Sequence, residues 1–146
     1  MQETSDNFVQ LSYTYSYPPS KLWQAWTHPS IVKMWFGSDP DGTVLEAELD
    51  VHVNGSFKVR FANSDGTEHT AMGVYNEVEP NKRLAFTWSW KDRPEVAENV
   101  SVEFTSENGV TVMSFEHHNI DKNTAHNYAE GWESTFKKFK RALNNF

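Results

Sequence analysis

Three pairs of ionisable side chains have types and spacings that could support chemistry: His117 and His118, His126 and Glu130, and Asp39 and Asp41. Imidazole and carboxylate groups bind metal ions and transfer protons. Adjacent residues of a strand point to opposite faces, however, so the two neighbouring histidines cannot easily share one ion. The His–Glu pair fits a solvated helix face better than a metal site, and Asp-Pro-Asp-Gly is first of all a turn. The sequence therefore predicts no metal site and no cofactor.

His117 has the most informative position of these residues. It shares the parity of Met113 and Phe115 in an alternating segment, which places it at the end of an inward strand face. An imidazole there could orient a ligand or transfer a proton, or it could simply be satisfied by backbone groups or water. The chain has no cysteine, no Gly-x-Ser-x-Gly elbow, no phosphate-binding glycine loop and no His-Glu-x-x-His motif. No catalytic residue is predicted, and a binding protein is favoured over an enzyme.

The element that must position a site is the last helix, over residues 124–146. Large side chains recur there at spacings of three and four and so share one face, which must be buried: Tyr128, Trp132, Phe136, Phe139 and Leu143. Gly131 lies in the middle of this helix, where glycine costs about 1 kcal/mol relative to alanine. That cost predicts either a close approach of another element or empty space beside Gly131.

Seven strands are predicted to precede this helix. Residues 9–17 alternate between apolar and polar and form the first, and two short helices follow, one from Pro19 and one over Ser30–Trp35. The six further strands are expected from Thr43 to the turn at Asn54-Gly55, from Phe57 to the turn at Asn63–Gly66, and near 68–79, 83–91, 97–106 and 110–118. The inward residues of the first of these six are expected to be Leu45, Ala47, Leu49, Val51 and Val53. Within 68–79 the apolar residues occupy both odd and even positions, and so both faces of a regular strand, which predicts a bulge.

The widths of the elements favour an internal cavity. Six strands about 4.8 Å apart make a sheet roughly 25–30 Å wide, whereas one helix with its side chains covers only about 10–12 Å. A curved sheet around the helix leaves an elongated interior, which aromatic side chains either fill completely or line as a ligand cavity. In the second case the ligand-binding residues are predicted to be Trp35, Phe57, Phe61, Phe86, Trp88, Phe104, Met113, Phe115, His117, Tyr128 and Trp132.

Length and charge set the remaining bounds. The 146 residues are expected to form one domain, with residues 1–7 flexible. The net charge of −7 argues against nucleic-acid binding. The basic cluster of Lys137, Lys138, Lys140 and Arg141 is better explained by the dipole of the last helix and by solubility than by a binding patch. No secretory signal and no membrane-spanning apolar run is visible, so a cytoplasmic location is expected.

A series of short segments resembles, in order, proteins similar to the activator of the heat-shock protein 90 ATPase. The resemblance covers roughly residues 8–144, and it is carried by Pro19–Pro29, Trp35-Phe36-Gly37, Asn54-Gly55-Ser56-Phe57, Asp65-Gly66, Gly73–Pro80, Arg83–Trp88 and Gly131-Trp132. Each segment is weak alone, but their ordered succession is specific.

The resemblance implies a helix-grip fold like that of the birch-pollen allergen and START lipid-transfer domains. In this α+β fold a curved antiparallel sheet packs on a long C-terminal helix, with a hydrophobic cavity between them. The fold hosts ligand carriers, cyclases, hydrolases and co-chaperone modules, so it does not fix an activity. The expected function is binding of a small hydrophobic or aromatic molecule. The alternatives are an enzyme that uses His117 or a carboxylate at the cavity entrance as general base, and a module that interacts with a chaperone.

Overall fold

The computed structural model describes residues 2–4, 8–121 and 123–146. In chain order the elements are β1 (Gln2–Thr4), β2 (Phe8–Tyr15), α1 (Pro19–Thr27), α2 (Pro29–Val32), β3 (Thr43–Leu49), β4 (Ser56–Ala62), β5 (Glu68–Glu79), β6 (Arg83–Trp90), β7 (Arg93–Glu107), β8 (Val110–His118) and α3 (Ala125–Leu143). Of the segment expected to be flexible, residues 1 and 5–7 lie outside the described residues, and Gln2–Thr4 pair with β2. Across the described ranges, none of the helices is both long enough and apolar enough to cross a membrane.

The strands form one antiparallel sheet in the order β1-β2-β8-β7-β6-β5-β4-β3. Strands β3 to β8 are a meander, in which each strand pairs with the next, and β2 pairs with β8 at the end of it. Helix α3 packs against the inner face of the sheet, where Trp132 contacts Phe115 of β8 with ring centroids 4.5 Å apart. The predicted helix-grip fold is confirmed, and β1 is an additional edge strand that the sequence did not indicate.

A β-bulge in β5 and another in β3 decide which side chains of these two strands face the interior. The bulge predicted in β5 is confirmed between Tyr75 and Glu77, and it allows Ala71 and Tyr75 on one parity and Val78 on the other to pack against the core. A second bulge, not predicted, lies in β3 between Val44 and Glu46. Because it adds one residue to the strand, it reverses the parity and leaves Leu45 exposed. The expectation that Leu45 faces inward was therefore wrong.

The turn after β3 is longer than the Asn54-Gly55 pair suggests. Strand β3 ends at Leu49, and Val53 is 56% exposed in the connection rather than inward on a strand. Asn54 has a positive φ of 73°. A side chain at Gly55 would lie 2.1 Å from the backbone oxygen of Asp50, so the glycine is required by close backbone packing and not only by a tight turn.

Aromatic rings fill one half of the space between sheet and helices. Trp26 of α1 and Trp35, just after α2, pack on Phe139 of α3 with ring centroids 5.9 and 4.9 Å apart. The Trp35 indole N–H donates to the Ala25 carbonyl at 2.9 Å, which fixes the ring. Only a void of about 20 Å³ remains beside these residues, room for about one water. The two short helices and their rings thus fill this half of the interior.

Candidate functional site

A cavity of about 830 Å³ occupies the other half, between the first turns of α3, the ends of β6 and β7, and the segment that follows α2. It is partly open to solvent. Aromatic rings form most of its apolar surface: Phe36, Phe61, Trp88, Trp90, Tyr128 and Trp132. Polar groups reach it from several elements, and Glu98 is the buried one among the charged residues. Ligand sites in proteins have this size and this mixture of rings with a few polar groups.

Regular periodicity in two elements places most of these rings. Tyr128, Gly131, Trp132 and Thr135 follow the i, i+3, i+4, i+7 spacing of one helix face and line the cavity from α3. Trp88 and Trp90 alternate with Ser89 in β6, which directs both indoles inward. Their rings are perpendicular, with centroids 5.3 Å apart.

His117 is held in one tautomer by its neighbours. The Trp132 indole N–H, which can only donate, lies 2.9 Å from Nδ1 of His117, so Nδ1 must accept and the ring proton must be on Nε2. Nε2–H then donates to Oε1 of Glu98 at 2.8 Å. If Nδ1 were also protonated, its N–H would point at the Trp132 indole N–H and this hydrogen bond would be lost. The neutral imidazole is therefore favoured. Burial likewise lowers the pKa of His117, and this effect outweighs the opposing bond to Glu98.

The second oxygen of Glu98 is bound by Tyr128. The Tyr128 hydroxyl accepts the Trp90 indole N–H at 2.8 Å and donates to Oε2 of Glu98 at 3.3 Å. Burial raises the pKa of Tyr128, so this hydroxyl keeps its proton at neutral pH. Both carboxyl oxygens of Glu98 accept hydrogen bonds from protein donors, which is the arrangement expected for an ionised carboxylate.

The structure brings four of the eleven residues predicted to bind ligand to the cavity surface, namely Phe61, Trp88, Tyr128 and Trp132. Six others lie in the filled part of the core: Trp35, Phe57, Phe86, Phe104, Met113 and Phe115. His117 is fully buried behind Trp132 and Glu98. It does not line the cavity, but it holds these two lining residues in place through its hydrogen bonds.

Glu98 was missed by the sequence reasoning although a signal was present. It has the parity of Val100, Val102 and Phe104, all buried in β7, and it is itself only 6% exposed. A carboxylate on an inward strand face has to be satisfied by specific partners. Trp90 and Phe36 were also missed as site residues, and contacts between distant elements bring them to the cavity.

The remaining candidate pairs do not form a site in the described ranges. His118 points away from His117 and contacts Glu116 at 2.5 Å, while His126 and Glu130 are exposed. Asp39 accepts the Asp41 and Ser64 amides at 2.9 and 2.8 Å, as expected for a turn. Nowhere among the described residues do three or more His, Asp or Glu side chains meet in an arrangement that could hold a metal ion.

Lys138 departs from the expectation for the basic cluster. Instead of lying in solvent at the end of α3 it is only 9% exposed, and its Nζ donates to the Asp39 carbonyl at 2.9 Å. Burial lowers its pKa. This lysine therefore connects α3 to the segment after α2, the same segment that borders the cavity.

Gly131→Ala is expected to raise the free energy of unfolding by about 0.5–1 kcal/mol. An added Cβ would meet only the Cβ of Ser38, at an ordinary contact distance of 3.5 Å, so the gain in helix propensity carries no steric penalty. Urea denaturation of the two proteins measures the difference. A loss of stability would mean that the space beside Gly131 is smaller than described.

The ring of His117 is expected to take up a proton only at a lower pH than an ordinary histidine. Because burial lowers its folded-state pKa beneath the ordinary value of 6.5, the unfolded chain binds more protons and stability falls as pH drops below that value. NMR titration of the His117 ring carbons tests the assignment, and a midpoint at or above 6.5 would contradict it.

Comparison with known proteins agrees with this architecture. The family model described as "Activator of Hsp90 ATPase homolog 1-like protein" matches residues 16–144. Searching the curated proteins returned no match. Among solved structures, a Chromobacterium violaceum protein superposes with a TM-score of 0.86 at 20% identity, covering 97% of this chain and 100% of that one.

Two further solved structures share the fold. An AHSA1-like protein from Aeromonas hydrophila has a TM-score of 0.77 at 24% identity and covers 92% of each chain. A protein from Arthrobacter aurescens has a TM-score of 0.87 at 14% identity, over 100% of this chain and 92% of that one. At these identities the superpositions establish the fold alone, whereas the family match spans most of the sequence. The chain therefore belongs to the family of activator of Hsp90 ATPase homolog 1-like proteins.

Proposed function

We propose that this protein binds a small hydrophobic or aromatic molecule in the cavity between the sheet and α3. The observation that carries the proposal is the cavity itself: its volume of about 830 Å³ lies within the range of roughly 300–1,000 Å³ usual for ligand sites, and rings form its apolar surface. The filled half of the core gives this surface a rigid support. Rigid ring surfaces bind a flat apolar molecule with little loss of side-chain entropy.

The side chains around the cavity would contribute shape and desolvation rather than bond making. Trp88 and Trp132, with ring centroids 5.4 Å apart, offer adjoining apolar surfaces, and Tyr128 adds a hydroxyl that is hydrogen-bonded to Trp90 and Glu98. Both nitrogens of His117 already have protein partners, which argues against direct proton transfer between His117 and a bound molecule. A binding role is therefore favoured over an acid-base enzyme.

A panel of naphthalene derivatives, flat aromatic polyketides and fatty acids tests the proposal. Binding near Trp88, Trp90 and Trp132 should change tryptophan fluorescence and raise the melting temperature by an amount that increases with the logarithm of the ligand concentration once that concentration exceeds Kd. At least one class is expected to bind with a Kd below about 100 μM, given the size and apolarity of the cavity. Absence of any binding up to solubility across the panel would reject the proposal.

A chaperone-directed role is the second candidate, and the family match favours it. Its test is a pulldown with the 90-kilodalton heat-shock protein together with an assay of that chaperone's ATPase rate. If a variant with a blocked cavity still stimulates the chaperone's ATPase, the chaperone-directed role is favoured over ligand binding. If this protein does not associate with the chaperone, that role is rejected. The cytoplasmic location expected from the sequence stays a prediction.

A further inference from the structure

We infer that the ligand is an organic cation, an amine carried on an aromatic or aliphatic body, whose ammonium group binds the Glu98 carboxylate inside the ring-lined cavity. This inference rests on the proposed function and specifies its ligand class. Three observations carry it: a buried carboxylate at the cavity, the absence of a cationic partner for it among the described residues, and the rings that surround it.

Glu98 has no cation beside it among the described residues. It is 6% exposed, and in the described ranges no lysine or arginine nitrogen comes within 4.0 Å of its carboxylate. Buried carboxylates are usually paired with a positive charge because the desolvation of an unpaired charge is costly. An ammonium group on a ligand would supply the positive charge that none of the described side chains supplies.

The two protein partners of Glu98 donate hydrogen bonds without adding charge. His117 is fixed as the neutral tautomer by the Trp132 indole, and the Tyr128 hydroxyl is neutral. Each carboxylate oxygen has a further lone pair after these bonds, so the group can accept hydrogen bonds from a ligand as well. The two partners therefore orient the carboxylate while leaving its negative charge uncompensated.

The rings next to Glu98 suit the same ligand. Trp88 meets Trp90 at 90° and Trp132 at 64°, so the three indoles form adjoining surfaces of the cavity instead of a flat stack. Ring faces carry negative potential and attract cations, tryptophan most strongly. The Trp88 indole N–H is buried without a hydrogen-bond partner among the described residues, which leaves a donor for an acceptor atom on the body of the ligand, separate from its ammonium group.

Charges at the rim do not reverse this preference. Lys91 and Arg93 line the entrance, but they are exposed and are accompanied there by Asp92 and Glu68. Water and salt screen exposed charges far more than buried ones, so the field inside the cavity is set mainly by Glu98. A ligand carboxylate would meet the like charge of Glu98 and be disfavoured.

Three ligands on one ring system test the inference: naphthylmethylamine, naphthalenemethanol and naphthoic acid. Their Kd values are measured by calorimetry at about pH 7.5, where the amine is a cation and the acid an anion. The amine is expected to bind about ten-fold or more tighter than the alcohol, and the acid to bind most weakly. Since this ranking uses the unmodified protein, it does not depend on the folding of any variant.

Glu98→Gln provides the second arm, because it keeps the shape and the acceptor for His117 but removes the charge. The advantage of the amine over the alcohol should fall to within about three-fold, while Lys91→Gln at the rim should leave that advantage unchanged. Equal binding of amine and alcohol to the unmodified protein, or tightest binding of the acid, would overturn the inference while sparing the proposed function. Failure of all three ligands and of the wider panel would instead reject the proposed function itself.

Discussion

His117→Ala is expected to lower the free energy of unfolding by about 3–5 kcal/mol. The substitution removes the imidazole between Glu98 and Trp132, so a buried carboxylate loses one of its two donors and a buried indole N–H loses its acceptor. It also leaves a void beside rings that contact the imidazole, including Tyr128 at 4.6 Å between centroids. Urea denaturation measures the change.

The neighbouring histidine provides a matched control. His118→Ala, one position along β8 but on the outer face, should cost less than about 1 kcal/mol because the side chain is 44% exposed. If the two substitutions destabilise the protein equally, the hydrogen-bonded chain from Trp132 through His117 to Glu98 contributes no more than a surface contact, and the account of the site fails.

Gly131→Leu is expected to weaken the binding of a cavity ligand by about 100-fold or more, equivalent to roughly 2.7 kcal/mol. Gly131 lies on the face of α3 that borders the cavity, and apart from Ser38 nothing lies within 4 Å of the position of an added Cβ. A leucine side chain would therefore extend into the space that the ligand occupies. Fluorescence titration with the tightest ligand of the panel measures the loss.

Gly131→Ala is the matched control for this loss, since it adds one methyl group at an ordinary contact distance and should change the affinity by less than about ten-fold. Circular dichroism confirms that both variants keep their helix and strand content. Unchanged affinity in a folded Gly131→Leu protein would place the ligand elsewhere.

The fold was predictable because local patterns and global architecture agree. The stripe from Tyr128 to Leu143 defines one buried face of α3, and the conflicting parities in β5 require a bulge between Tyr75 and Glu77. Each of these features follows from side-chain periodicity alone. The bulge in β3 could not be predicted in this way, because Leu45 alternates regularly with its neighbours and only the register against β4 shows the extra residue.

The division of the interior could not be predicted from periodicity. An inward parity does not reveal whether a ring meets other rings or a cavity, and that depends on where α1 and α2 dock. Trp26 and Trp35 fill the half that contains Phe86 and Phe115, so these predicted ligand contacts are core residues in the structure. Trp88 and Trp132 lie beyond the reach of the two short helices and line the cavity.

Glu98 shows how a site residue is concealed in a sequence. Its partners His117 and Tyr128 are 19 and 30 residues away. The register of the β7–β8 hairpin pairs Val100 with His117 and so brings Glu98 near this histidine, but no spacing rule connects Glu98 with Tyr128 on α3. The informative signal is a charged residue on the inward parity of a strand. Such a residue has to be neutralised, hydrogen-bonded by the protein or paired with a bound ligand.

Amide chemical-shift mapping during titration with naphthylmethylamine is the most direct test of ligand binding between the sheet and α3. The largest shifts are expected to cluster in residues 36–38, 88–93 and 127–135, which border the cavity. Residues of the filled half, around Trp26 and Trp35, are expected to change little. Shifts spread evenly over the surface, or centred on the outer face of the sheet, would show that the ligand does not bind between the sheet and α3.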